Sequence, residues 1–317
     1  MKTRILPAFL IMALMIIMSC QTEKKENTAN TKTGGKKQIV ATTGMIADML
    51  KHVGGDYIEV ESLMGPGVDP HLYKATQGDL RKLRAADAIF YNGLKLEGKM
   101  EEIFEKMAAK KMVEAISKNI PEESLIKIQM EHSDLTQVDP HIWFDIVTWA
   151  SCLSTVEHAL AELIPEGKKE FQKNRSAYAN ELMDLHKKVE LGLARIPQES
   201  RKLVTSHDAF SYFARAYNIK VSALQGMSTV TEFGLRDIAN LVNEIVDEQV
   251  PAIFVESSID PKNMNAVIEG CRQKGFEVRL GGPLFSDAMG AEGTPEGEYV
   301  GMIEHNLRTI VKGLTGS

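Results

Sequence analysis

The sequence predicts an α/β protein of two lobes, each with a parallel sheet flanked by helices, joined by a single long helix. Three observations carry this reading. Short strand-like runs alternate with helical patterns without hairpin signals, which describes parallel sheets covered on both faces. That rhythm runs through the first half of the chain and resumes in the second. Between the two lies one uninterrupted apolar stripe, Phe171, Tyr178, Leu182, Leu185, Val189 and Leu193, at helical spacing. From Glu166 to Leu193 it would span roughly 42 Å, longer than one small domain, which makes it a candidate spine.

Order is expected from Gln38 onward. Ile39 to Thr43 is strand-like, Met45 to Val53 helical, and Tyr57 to Met64 a partly alternating strand broken by Gly65-Pro66-Gly67. Thr76 reads as the N-cap of a helix to Ala86, with Asp79 in its first turn. Ala88 to Tyr91 and Met112 to Ile116 are strands on either side of a helix over about Gly98 to Lys110. Residues 117–138 are polar and read as irregular, and Ile146 to Leu163 is helical. After Pro197 come strands at Lys202 to Ser206, Lys220 to Leu224, Ala252 to Val255 and Phe276 to Leu280, the last ended by Gly281-Gly282-Pro283. Helices carry Phe210, Phe213 and Tyr217, then a run from Thr231 or Glu232 through Ile245, then Asn263 to Lys274, and finally Tyr299 to Leu314.

The chain has 317 residues, enough for two domains of ordinary size. With 44% hydrophobic and 25% charged residues it has a globular balance, and a net charge of −6 argues against nucleic acid as a partner. Lys2 and Arg4 precede a mostly apolar run, Ile5 to Met18, which reads as a secretory signal. The run ends Ile17-Met18-Ser19-Cys20 and resembles a bacterial lipobox, although Met18 is larger than the small residue usual there. Cys20 is therefore the expected lipidated first residue of the mature chain. Residues 21–37 are polar apart from Ala29 and suit a tether. The expected organisation is a signal peptide over 1–19, a lipid-anchored linker over 20–37, an N-terminal lobe over 38–164, a connecting helix over 165–196 and a C-terminal lobe over 197–317. Cys152 and Cys271 fall in separate helices and read as buried free thiols.

One tetrapeptide occurs twice, as Val68-Asp69-Pro70-His71 and Val138-Asp139-Pro140-His141. Proline fixes its own φ and pushes the preceding residue out of the helical region, so each copy is a stiff turn that presents a histidine just after a strand-like run. Of the eight histidines, His207 shares that placement, and Asp287 lies in a loop after a later strand. His132 sits in the polar loop, and His186, between stripe positions, reads as a solvated helix residue. Open parallel sheets bind ligands beyond the carboxyl ends of their strands. Two such sheets facing each other would bring His71, His141, His207 and Asp287 to one cleft. Three imidazoles and a carboxylate make a first-row transition-metal site, whereas calcium would want more oxygen ligands and a heme or siderophore a larger pocket. Asp69 and Asp139 are turn formers that can also reach an imidazole. Glu256, at a strand end facing the cleft, can support a ligand from behind.

These residues lie within larger motifs: Gly-Val-Asp-Pro-His-Leu-Tyr at 67–73, Asp-Pro-His-Ile-Trp-Phe-Asp at 139–145, Ser-His-Asp-Ala-Phe at 206–210, Phe-Val-Glu-Ser-Ser at 254–258 and Phe-Ser-Asp-Ala-Met-Gly at 285–290. Together they resemble the TroA-like family of metal-binding lipoproteins, which serve ABC importers of manganese or zinc. The resemblance covers nearly all of residues 38–317. It implies two lobes joined by one long helix with the metal between them, and it carries the ligand positions onto His71, His141, His207 and Asp287. Many manganese-specific members have Glu where this chain has His207. Many zinc-specific members carry a long His-rich acidic loop before the second Asp-Pro-His, where this chain has only His132.

The resemblance implies capture of Mn2+ or Zn2+ outside the cytoplasm by a monomer anchored through its lipid to the periplasmic or cell-surface face of a bacterial membrane. Delivery would be to a membrane permease and a cytoplasmic ATPase. Both are expected as separate chains, since no phosphate-binding loop or spanning bundle is present here. Two other classes compete. A metal-dependent hydrolase would use similar ligands, but no HExxH helix is present and the ligands come from both halves. A surface adhesin would need an adhesive repeat or a large aromatic patch, and the sequence offers neither.

Overall fold

In the computed structural model, residues 35–129, 136–230 and 232–316 are described. Cys20, His132 and Thr231, and with them the signal peptide, lipidation site and most of the linker, lie outside those residues.

The first half contains β1 (Lys37–Ala41), α1 (Gly44–Gly54), β2 (Ile58–Ser62), α2 (Gln77–Ala85), β3 (Ala88–Tyr91), α3 (Glu101–Ala108) and β4 (Met112–Ala115). Its four strands form a parallel sheet in the order β2-β1-β3-β4. Thr76 caps α2 as expected: its Oγ1 accepts from Asp79 N, and Asp79 Oδ2 accepts from Thr76 N at 2.8 Å, a reciprocal capping box. After a short hairpin come α4 (Ile146–Leu163) and the 26-residue α5 (Lys168–Leu193). All six stripe residues of α5 are buried. It packs against α1 and α4 on one side of the sequence and, on the other, against α6 (Ser211–Tyr217) and α9 (Tyr299–Thr315).

The second half adds β7 (Lys202–His207), β8 (Lys220–Gln225), α7 (Leu235–Asp247), β9 (Ala252–Glu256), α8 (Lys262–Gln273) and β10 (Arg279–Leu284). β7 pairs with β8, and β9 with β10, all in parallel, and β7 lies beside β9. The side-by-side order β8-β7-β9-β10 thus repeats the plan of the first sheet.

The strands alternate between two environments, as a period of two requires. Ile39 and Ala41, Ala88 and Phe90, Leu203, and Ala252 and Phe254 face one central core, which also contains the α5 stripe and much of α1, α4 and α9. Val40 and Ile89 face a separate core with Leu83 and Phe104, under α2 and α3. Val204 and Ile253 face a third with Leu241, Ile245 and Val267, under α7 and α8. The central core runs through both halves without a break, and Lys36–Ser317 packs as one compact unit.

Four readings of the sequence need correction. Residues 117–138 are not wholly irregular: β5 (Lys127–Gln129) and β6 (Thr136–Val138) form a small antiparallel hairpin. Three-residue polar strands carry too little alternation to be read as such. β10 does not stop at Gly281-Gly282-Pro283 but passes through it, with a register shift between Leu280 and Pro283. Among the described residues its one ladder partner is β9, so the missing N–H of Pro283 is tolerated at an edge. α7 begins only at Leu235, where Asp237 Oδ2 accepts from Gly234 N at 2.7 Å. His186 is not simply solvated, because its Nδ1 lies 3.0 Å from Tyr217 Oη on α6.

Candidate metal centre

Each Asp-Pro-His turn is held the same way. Asp69 Oδ1 accepts from His71 N at 2.8 Å, and Asp139 Oδ1 accepts from His141 N at 2.9 Å. The aspartate closes a turn on the amide two residues on, which fixes the backbone from which each imidazole projects. Gly67, at φ 71°, lets the first of these loops pass close to Ser257 O. His141 reaches the site by a route the sequence did not indicate. It follows β6 of the hairpin rather than a strand of the parallel sheet. His207 is the last residue of β7, and Asp287 follows β10.

These loops bring one donor atom from each of His71, His141, His207 and Asp287 to within 4.8 Å of one another, all in buried side chains. His71 Nε2 is 3.2 Å from His141 Nε2 and 3.7 Å from Asp287 Oδ2. Asp287 Oδ1 is 3.4 Å from His141 Nε2, and Asp287 Oδ2 is 3.3 Å from His207 Nε2. A tetrahedral ion with ligand bonds of about 2.1 Å sets its donors roughly 3.4 Å apart, and these four separations lie close to that spacing. Both Asp287 oxygens and His207 Nε2 are buried without a hydrogen-bond partner. Buried polar atoms are rarely left so, and a cation at the centre satisfies all of them at once.

Behind the donors stand two carboxylates. Asp139 Oδ1 lies 2.7 Å from His141 Nδ1, and Glu256 Oε2 lies 2.5 Å from His207 Nδ1, while Glu256 Oε1 accepts from His207 N at 2.9 Å. A carboxylate on Nδ1 fixes the ring so that Nε2 faces inward, and Nε2 becomes a ligand once its proton is lost. Asp69 takes a different partner: its Oδ2 accepts from Thr229 Oγ1 at 2.6 Å, across to the second half. The aspartates of the twin turns are therefore not equivalent.

The electrostatics follow. Burial holds the His71 imidazolium down, with a pKa of about 3, despite the attraction of Asp287. Burial also opposes the charged form of His141, but Asp139 and Asp287 outweigh it and raise the pKa to about 9. In His207 burial is likewise overcome, by Glu256 and Asp287, and the pKa lies well above the usual value. Asp287, although buried, is held well below the usual carboxylate range by His207 and His141. Without metal the site is thus a neutral imidazole beside two imidazolium–carboxylate groups.

The profile of the family described as "ZnuA: Zinc-uptake complex component A periplasmic" matches residues 39–313. The chain belongs to that family. Over 309 residues, 98% of each chain, this family member is 43% identical to the manganese-binding lipoprotein MntA of Bacillus subtilis. It is 45% identical over 280 residues to the zinc-binding protein TroA of Treponema pallidum, covering 88% of this chain and 89% of that one. The solved structure of the Treponema pallidum protein superposes with a TM-score of 0.84, covering 88% of this chain and 99% of that chain. Membership makes the protein a component of metal uptake, not an enzyme.

Sequence reasoning missed the clamps on the second Asp-Pro-His loop. Tyr212 Oη donates to Asp139 O at 3.0 Å, Trp143 Nε1 donates to Ser286 O at 3.0 Å, and Tyr299 Oη donates to Trp143 O at 2.6 Å. Each clamp joins residues far apart in sequence, so no local pattern signals it.

Proposed function

We propose that this protein captures a divalent transition metal, Mn2+ or Zn2+, outside the cytoplasm and delivers it to the permease of an ABC importer. His71, His141, His207 and Asp287 are the ligands. The observation that carries this is the convergence of four buried donors within 4.8 Å of one another, several pairs of them at 3.2–3.4 Å. Relatives whose names specify manganese and zinc binding support both cargoes. On this reading residues 38–164 and 197–317 are the two metal-binding lobes and 165–196 connects them. Cys20 carries the lipid that holds the protein at the membrane, and the ATPase that drives transport is a further chain.

The ion loses its water as it enters and is met by donors already oriented. Asp139 and Glu256 keep two Nε2 atoms turned inward, ready to bind once their protons leave, and Asp287 supplies the charge that an imidazole trio lacks. The α5 spine and the core shared by both halves restrict any closing motion to a small rotation rather than a wide hinge swing.

The test is calorimetric titration of metal-stripped protein with Zn2+ and with Mn2+. One ion per chain is expected for each, and failure to bind either stoichiometrically overturns the proposal. Zn2+ generally binds such a site more tightly than Mn2+, so affinity does not define the cargo. Uptake of radiolabelled manganese or zinc by a strain lacking the protein, before and after its restoration, does.

A further inference from the structure

The loop after β3 contains an arrangement that metal binding alone does not explain. Glu97 is buried, and among the described residues no basic side chain pairs with it. Its Oε1 accepts from Thr42 Oγ1 at 2.6 Å and from Asn92 N at 2.7 Å, and its Oε2 accepts from Gly93 N at 3.3 Å. Between Asn92 and Glu97 three consecutive residues have left-handed backbone: Gly93 at φ 82°, Leu94 at 55° and Lys95 at 66°. Leucine and lysine disfavour that region, and an unpaired buried carboxyl is itself unfavourable. Both occur in a loop that, besides burying Leu96 in the central core, fixes the Asn92 side chain. The Nδ2 of Asn92, itself buried, donates to Pro140 O at 3.0 Å and to Gly93 O at 3.1 Å, while Ser117 Oγ donates to Asn92 O at 2.6 Å.

Pro140 precedes His141. Because His141 comes from the hairpin and not from the parallel sheet, its loop needs a separate attachment to the first half. Asn92, at the carboxyl end of β3, provides one. Pro140 has no N–H, so the carbonyl is the polar group its backbone offers.

We infer that Asn92 is a positioning residue for the metal site, locked by Glu97 and acting through the Pro140 carbonyl to set the backbone from which His141 projects. The inference rests on the metal-site reading given above. Substitutions supporting a ligand from outside the coordination sphere typically weaken metal binding by roughly 10- to 100-fold. Asn92 acts one bond further out and belongs at the lower end.

The experiment compares the full chain with Asn92→Asp, Asn92→Ala and Ser117→Ala. Readouts are Zn2+ affinity by chelator competition, the visible absorption of the Co2+-loaded protein, and thermal stability without metal. Asn92→Asp sets a carboxylate against the Pro140 and Gly93 carbonyls and is expected to weaken Zn2+ binding about tenfold and to change the Co2+ spectrum. Asn92→Ala moves both readouts in the same direction without added charge and carries the test alone where Asn92→Asp does not fold. Ser117→Ala loses a bond to Asn92 but not the link to Pro140, so it lowers stability while leaving affinity and spectrum unchanged. Asn92→Ala that folds and keeps wild-type Zn2+ affinity and Co2+ spectrum overturns the inference, as does a Ser117→Ala effect on those readouts equal to that of Asn92→Ala. A wild-type chain that binds no Zn2+ or Co2+ fails the proposed function instead, and the two failures are distinct.

Discussion

Trp143 Nε1 donates to the carbonyl of Ser286 at 3.0 Å, joining the loop of His141 to the loop of Asp287 across 143 residues of chain. Tyr299 Oη closes the clamp on the carbonyl of the same tryptophan. Two metal donors from opposite halves are thereby mechanically linked, so the site does not divide simply into a first-half pair and a second-half pair.

Replacing Trp143 by Phe keeps most of the ring but leaves the buried Ser286 carbonyl without this donor. The metal-free protein is expected to lose about 1–3 kcal/mol, read as a lower urea midpoint with an unchanged slope. Wild-type stability in Trp143→Phe contradicts the clamp.

His71→Ala and His141→Ala should both abolish tight metal binding, but they should differ in the metal-free state. His71 is neutral near pH 7, while His141 is a buried cation between Asp139 and Asp287. Removing His141 strands charge, at a cost of about 3–5 kcal/mol, and His71→Ala should cost clearly less. Denaturant unfolding of both stripped variants checks the order, and equal losses refute the charge assignment. Tight stoichiometric metal in either variant refutes that ligand.

Proton and metal compete for His141. Its folded pKa of about 9 lies above the unfolded value, so its contribution to metal-free stability is full below about pH 6.5 and is lost as pH rises through about 9. Metal affinity runs the other way. Below pH 9 binding must displace the His141 proton, and His207, also raised, adds a second. Affinity should therefore climb roughly tenfold per pH unit for each proton released, as followed by competition titrations from pH 6 to 9. His71, with a pKa of about 3, releases none. A flat profile across that window counts against the protonated pair.

Cys20→Ala should leave Zn2+ affinity untouched and release the protein from membranes. Fractionation of cells expressing the variant decides this, and persistent membrane association rules out the lipid as the anchor.

Much of the fold was legible because it depends on local periodicity. The α5 stripe, the Thr76–Asp79 cap and the Ala88–Tyr91 strand need only neighbouring side chains and standard backbone geometry. The four donors were legible because proline turns and strand ends mark where a side chain can be presented to a cleft. The β5–β6 hairpin and the late start of α7 were not, since a three-residue strand or a helix boundary leaves little pattern. The passage of β10 through Gly281-Gly282-Pro283 was hidden because being an edge strand is a property of the sheet, not of the segment.

By itself the sequence determined which residue types converge and the turns that present them. Only the tertiary structure decided what stands behind each donor: Asp139 on His141, Glu256 on His207, and Thr229 rather than an imidazole on Asp69 Oδ2. Identical Asp-Pro-His turns acquire different roles because hydrogen bonds such as Trp143 to Ser286 and Asn92 to Pro140 join segments far apart in the chain. Burial then makes each partner matter, since a charge out of water is set by the few groups that touch it.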